Sequence, residues 1–175
     1  MDRQPVLEGD RLLLRPLTED DWDALFAVAS DPQIWAVHPS HDRWQEPVFR
    51  QFFAEAMARG GALAIIDKAS GAVIGSSQFG EPEAEGPGEI EIGWSFLSRA
   101  YWGKGYNAQF KRLMLDHAFA HYDRVIFQVG SGNVISRKAM ENIGGVLTDR
   151  TREFERNGEM VLHVIYEITK EASRG

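Results

Sequence analysis

The sequence predicts a single mixed α/β domain, and three observations predict it. A length of 175 residues, 43% hydrophobic and 26% charged, suits one globular core that needs no staples. Segments with period-two hydrophobicity and segments with helical periodicity succeed one another along the chain. Gly, Pro and Asn-Gly punctuation separates them at short intervals, and no internal repeat is present.

In order, Leu-rich Arg11 to Arg15, ending at Pro16, reads as a first strand. Thr18 followed by Glu19, Asp20 and Asp21 reads as a helix start, with Trp22, Leu25, Phe26 and Ala29 as its apolar stripe and Asp31-Pro32 as its stop. Gln33 to Glu46 reads as an irregular connection rich in Trp and His. Pro47 opens a second helix whose buried face is Phe49, Phe52, Phe53, Ala56 and Met57, ended by Gly60-Gly61. Strands over Ala62 to Asp67 and Ala72 to Phe79 follow, joined near Ser70-Gly71, and then a loop from Gly80 to Gly88.

Glu89 to Phe96 alternates strictly: Ile90, Ile92, Trp94 and Phe96 fall on one face, and Glu89, Glu91, Gly93 and Ser95 on the other. After a Gly-punctuated turn, Phe110, Leu113, Met114, His117 and Ala118 mark a long helix. Val125 to Val129 is a strand, and Asn133 to Ile143 a helix closed by Gly144-Gly145. Val146 to Arg152 and Met160 to Ile168 form a last antiparallel pair turned at Asn157-Gly158.

The 19 Lys plus Arg against 26 Asp plus Glu give a formal net charge of -7, which disfavours a nucleic-acid partner, because attraction to phosphate needs a positive face. The absence of Cys excludes disulfides, a thiolate nucleophile and an enzyme thioester. No targeting segment or membrane span is read, so the expectation is a cytoplasmic protein with no membrane partner.

The charge is unevenly spread. Between Leu97 and Leu115 the only charged residues are Arg99, Lys104, Lys111 and Arg112, giving +4 there and -11 elsewhere. This window contains Tyr101-Trp102-Gly103-Lys104-Gly105-Tyr106, between a strand and a helix, where backbone N–H groups and a helix N-terminus can cradle a pyrophosphate. A nucleotide P-loop is excluded, since one residue instead of four separates Gly103 from Gly105. Gly103, Gly105 and Ala108 fit a dinucleotide fingerprint, but the following strand ends Gln128-Val129-Gly130 without the acid that would hold a ribose.

Two motifs carry a family resemblance. Trp94 to Ala108 resembles the acyl-CoA loop of the GNAT superfamily of N-acetyltransferases, Q/R-x-x-G-x-G/A. Asn133-Val134-Ile135-Ser136, followed by Glu141, Gly144 and Gly145, resembles its second CoA motif in the form found in the RimJ/RimL-like branch. The resemblance implies a GNAT fold: a mostly antiparallel twisted sheet of about six to seven strands, splayed in the middle and flanked by about four helices. It implies acetyl-CoA as co-substrate, no metal, and direct transfer of the acetyl group to a primary amine. Pantetheine would lie against Phe96 and Leu97. Pyrophosphate would sit on the amides of Trp102, Gly103, Lys104, Gly105 and Tyr106, and Asn133 and Ser136 would contact the arm. The sequence departs from the family at Ala100, where Gln or Arg is usual, and at Met140, where many members place the Tyr that protonates the leaving thiolate.

A primary ammonium is not a nucleophile. At pH 7 neutralising a Lys-like amine costs about 4.6 kcal/mol, and an α-amine only about 1 kcal/mol. Glu91, acting directly or through water, is the candidate base, while Glu89 reads as a solvated strand residue. Ser136 is the candidate acid, as proton donor or only as hydrogen-bond donor to the thiolate; a plain helix-capping role is its rival. Trp35, His38, Trp44 and Trp94 are expected to line the acceptor pocket, and His117 to sit in the core. His38 and His41 have metal-like spacing but no third ligand, so no metal is assigned. The acceptor is a peptide or protein N-terminus or a small amine, an acidic surface suiting a basic one, and the protein is a monomer or homodimer. A CoA-binding regulatory or pseudo-enzyme module is the alternative, suggested by Met140.

Overall fold

The computed structural model describes residues 1–174. Eight strands form one sheet in the order β1-β2-β3-β4-β5-β6-β8-β7. They are β1 (Leu7–Glu8), β2 (Leu12–Pro16), β3 (Ala62–Asp67), β4 (Val73–Phe79), β5 (Glu89–Leu97), β6 (Arg124–Gly130), β7 (Val146–Arg156) and β8 (Glu159–Thr169). Six helices accompany them: α1 (Trp22–Ala29), α2 (Pro32–Trp35), α3 (Glu46–Arg59), α4 (Tyr106–Phe119), α5 (Val134–Asn142) and α6 (Lys170–Ser173). The strand over Arg11 to Arg15 is thus the second, since the two-residue β1 carries too little pattern to be read. Asp31-Pro32 ends one helix and starts another, because the Asp31 carboxylate accepts from the Gln33 amide and caps the one-turn α2.

Two apolar layers cover the sheet. On one face Leu12, Leu14, Ile65, Ile90 and Ile92 pack with Phe110, Met114 and Ala118 of α4. On the other, α1 and α3 bring Leu25, Phe49, Phe52 and Ala56 onto Ala62, Ala64 and Phe96. The period of three and four between these helical residues is what builds each stripe. Gly60 ends α3 at φ 73°, a conformation that Gly reaches without steric penalty. Asn157 and Gly158, at φ 53° and 81°, make the tight β7–β8 turn foreseen from sequence.

All strand pairs are antiparallel except β5–β6. That parallel pair is short: Glu89 faces Arg124, Ile90 faces Val125 and Glu91 faces Ile126, and no pairing follows. Beyond Glu91 the two strands splay, leaving edge backbone on each side of a gap.

The strict alternation of β5 does not hold. The β4–β5 register shifts between Ser76 and Gln78, and Trp94 adopts φ 54°. This is a β-bulge, an extra residue that turns the following side chains to the other face. Ile90, Ile92 and Leu97 therefore share one core layer, while Phe96, with Trp94 packed alongside, belongs to the other. Trp94 lies on the same side as Glu91, opposite to the expectation.

Candidate active site

The Gly-punctuated loop follows β5 as a 3-10 turn, Arg99–Tyr101, and then opens α4. Gly103 and Gly105 have φ 70° and 85°. No hydrogen bond among the described residues uses the Gly103, Lys104 or Gly105 amide as donor. The first N–H groups of α4 add to this array, since a helix start has no internal acceptor for them. The loop is braced from outside. The Trp102 indole donates to the Leu97 carbonyl at 2.8 Å, and the Tyr101 hydroxyl donates to Asp67 at 2.7 Å. The Arg11 guanidinium lies 3.9 Å from the Tyr106 ring centroid and donates to the Lys104 carbonyl at 2.9 Å.

The charge island is smaller than the linear count. Arg99 pairs with Asp31 and Arg112 with Asp116. Lys111 is buried beside Phe110 and Phe127, and burial pushes its ammonium down to about 7. Lys104 is the exposed cation left on the loop, with Arg11 supplied from just before β2. Free amides, glycines and these cations form a site that fits a pyrophosphate, and the neighbouring splay offers two strand edges for an extended arm.

At the paired end of β5 and β6 lies a cavity of about 290 Å³. Its walls come from five places: the strand face bearing Glu91, Trp94 and Gln128; the segment after α2 bearing His38 and Arg43; the end of α3 bearing Arg59; the loop after β4; and the β7–β8 hairpin bearing Phe154, Arg156 and His163. Gly130 lets the segment after α2 close down, because a Cβ there would meet Pro39 Cγ at 2.4 Å.

Glu91 is the central titratable group. Burial raises its carboxyl to about 7, against the opposing pull of the Gln128 amide and the Arg59 guanidinium. Gln128 Nε2 donates to Glu91 Oε1 at 3.2 Å, and Gln128 Oε1 is buried with no donor among the described residues. The site thus holds a poised carboxylate beside an unused acceptor, a pair suited to receive N–H groups. His38 is pushed down to about 3, by burial first and then by Arg43, His163 and Arg156, so its ring is neutral; Nδ1 accepts from the Ser40 amide at 2.9 Å. It can shape the wall and is no base near neutrality.

Several expectations are corrected. Glu89 is not solvated: it is 1% exposed and held by Arg124 at 2.8 Å and Arg150 at 3.0 Å. Burial raises its carboxyl, and the two guanidiniums overcome this and hold it below the usual range. Trp35 is a core residue whose indole donates to the Ala29 carbonyl, and Trp44 is 37% exposed; neither lines the cavity. His38 and Trp94 do, whereas His41 is exposed, so the two histidines do not converge. Phe96 and Leu97 stand at the far end of the splayed part of β5, past Glu91 where its pairing with β6 stops, but the Leu97 carbonyl is already taken by Trp102.

Asn133 caps α5, its Oδ1 accepting from the Ser136 amide at 3.2 Å. Ser136 is therefore the capped residue and not the cap, and its hydroxyl has no partner among the described residues. Met140 is buried in the core. His117 donates to or accepts from nothing in the cavity; its Nε2 meets the Asp2 carbonyl at 2.7 Å.

Sequence reading missed Gln128, Arg43, Arg59 and the hairpin residues Phe154, Arg156 and His163. Gln128 alone left a signal, an amide inside the otherwise apolar run Val125 to Val129. The others reach the site through tertiary contacts that no local pattern encodes.

The sequence and the fold both have known relatives. The profile of the acetyltransferase (GNAT) domain matches residues 11–146. The uncharacterised protein YkkB of Bacillus subtilis is 26% identical over 150 residues, covering 82% of this chain and 87% of YkkB. A GNAT-family acetyltransferase from Bacillus anthracis superposes with a TM-score of 0.78 at 23% identity, over 95% of this chain and 99% of that one. Mycobacterium smegmatis RimJ, solved with CoA-disulfide, superposes with a TM-score of 0.76 at 18% identity, over 96% and 88%. No helix of the described residues is long and apolar enough to cross a membrane. The match over residues 11–146, on a splayed sheet with a glycine loop opening α4, shows that the chain belongs to the GNAT acetyltransferase family.

Proposed function

We propose that the protein is an acetyl-CoA-dependent N-acetyltransferase in which Glu91 is the base for a primary amine acceptor. The observation that carries this reading is Glu91 itself, raised to about 7 in a cavity beside the β5–β6 splay, with Gln128 Oε1 unpaired next to it. The co-substrate supplies an acetyl group activated as a thioester. The loop amides around Gly103 to Tyr106 and the Lys104 cation hold its pyrophosphate, and the strand edges and Asn133 hold its arm.

Glu91 accepts a proton from the ammonium, and Gln128 Oε1 accepts a second N–H, aiming the lone pair. The neutral amine nitrogen bonds to the acetyl carbon as the carbon–sulfur bond breaks, and the second proton that the nitrogen loses passes to the departing thiolate, so the products are the amide and the free CoA thiol. A base near 7 is matched to an amine of pKa about 7.8, the transfer being uphill by only about 1 kcal/mol. The Ser136 hydroxyl, which has no other partner among the described residues, donates a hydrogen bond to the departing thiolate.

The test is release of free thiol from acetyl-CoA with a panel of amines, with kcat/KM followed from pH 5 to 9. Amine-dependent release with an acid limb near pH 7 is expected. Thermal stabilisation by CoA without turnover of any amine would overturn the transferase reading in favour of a CoA-binding module.

A further inference from the structure

The charges in the cavity are not balanced, and the imbalance opposes the acidic surface. Its acids are mostly used elsewhere. Glu89 is held by Arg124 and Arg150, Glu85 pairs with Arg152, and Glu81 lies 3.5 Å from Arg3. Its arginines are not. Arg43 is held by the Ser40 hydroxyl at 3.0 Å and lies over Trp35 and Phe52. Arg59 donates both Nε and Nη2 to Gln78 Oε1 and lies over Trp94. Arg156 donates to the Glu155 carbonyl and lies over Phe154. None of the three has a carboxylate within ion-pair distance among the described residues. The three side chains come from the segment after α2, the end of α3 and the end of β7, and they line one cavity.

Like charges held together in a half-buried wall disfavour one another unless an anion joins them. Burial first, and then Arg156, lowers the Arg43 guanidinium to about 10, against the opposing pull of Asp42 and Glu55. Both nearby histidines are also lowered, by burial and by these arginines. A guanidinium is the group that meets a carboxylate or phosphate in two parallel hydrogen bonds.

We propose that the acceptor is a small primary amine that also carries an anionic group, its nitrogen toward Glu91 and Gln128 and its carboxylate or phosphate toward Arg43, Arg59 and Arg156. This rests on the transferase reading above, and it reverses the expectation of a basic acceptor. A volume of about 290 Å³, at the small end of ligand pockets, suits a molecule of amino-acid size better than a protein terminus.

The experiment compares matched amines in the thiol-release assay: O-phosphoethanolamine against ethanolamine, aspartate against its diamide, with spermidine and an Asp-initiated peptide as further arms. The expected result is a kcat/KM at least about tenfold higher for the acidic small amine of each pair. Arg156→Gln and Arg43→Met should each narrow that ratio through KM. Arg156 is at the rim, so its variant serves if Arg43→Met, which loses stacking on Trp35 and Phe52, fails to fold. A ratio near one, preference for spermidine, or turnover of the peptide alone would overturn the proposal. If no amine is turned over, the transferase reading fails, and titration of the two ethanolamines into CoA-loaded protein decides the charge assignment. Selective binding of O-phosphoethanolamine, weakened by Arg156→Gln, upholds it; equal or absent binding overturns it.

Discussion

Glu91→Gln separates stability from activity in a way that depends on pH. A carboxyl raised from 4.5 to about 7 is protonated in the folded protein while the unfolded chain has already ionised. Between those values the folded state binds more protons, so stability falls as pH rises through the window. The full difference of about 2.5 units corresponds to roughly 3.4 kcal/mol, present above pH 7 and nearly absent below pH 4.5. At pH 5 the same linkage gives about 0.8 kcal/mol and at pH 8 about 3.3 kcal/mol. Glu91 is only partly enclosed, and solvent screening reduces the widening between these conditions to about 2 kcal/mol.

Gln keeps the volume and an acceptor for Gln128 Nε2 while removing the charge. The variant should therefore be more stable than wild type at pH 8 by roughly 4–8 °C more than at pH 5, other titrating groups cancelling in the comparison. Its kcat should fall by about 10² to 10⁴ if the carboxylate is the base. Paired thermal or urea denaturation at the two pH values, with thiol release alongside, reads both effects. A stability difference that is the same at pH 5 and pH 8 would refute the linkage, and retained turnover would refute the base.

Three other substitutions probe the remaining parts. Ser136→Ala should lower kcat about tenfold with little change in the KM for acetyl-CoA, since one hydrogen bond to a charged leaving group is removed; unchanged turnover in steady-state kinetics would discard the role. Gly105→Ala, at φ 85° with Arg11 Nη2 3.3 Å from the added Cβ, should destabilise by about 1 kcal/mol in urea titration and weaken CoA binding measured by calorimetry. Lys111→Met should stabilise the protein by about 2–4 kcal/mol at pH 7, because the buried ammonium is lowered to about 7 from 10.5. Here the unfolded chain binds more protons, so wild-type stability recovers as pH rises and the gain should shrink toward pH 10; denaturation at pH 7 and pH 10 checks it.

The strand and helix order was legible because burial writes itself into local periodicity. Ala62 to Asp67 and the Asn157-Gly158 turn needed only a few residues each to declare themselves. The bulge at Trp94 was not legible, because the alternation of β5 is intact in sequence and is broken by its register against β4. The same limit applies to charge. Four cations near the glycine loop read as an island, yet Arg99 and Arg112 are paired and Lys111 is buried.

By itself the sequence determined the α/β class, the order of the elements, the glycine loop and the place of Glu91 on the strand before that loop, since each rests on neighbours within a turn or a strand. Only the tertiary structure decided that Glu89 is a buried ion-paired residue, that Trp35 belongs to the core, and that Gln128 stands beside Glu91. It alone gathered Arg43, Arg59 and Arg156 around one cavity in a chain of net charge -7. The physical reason is that net charge sums over the whole surface, whereas the field inside a cavity is set by the few charged groups that line it.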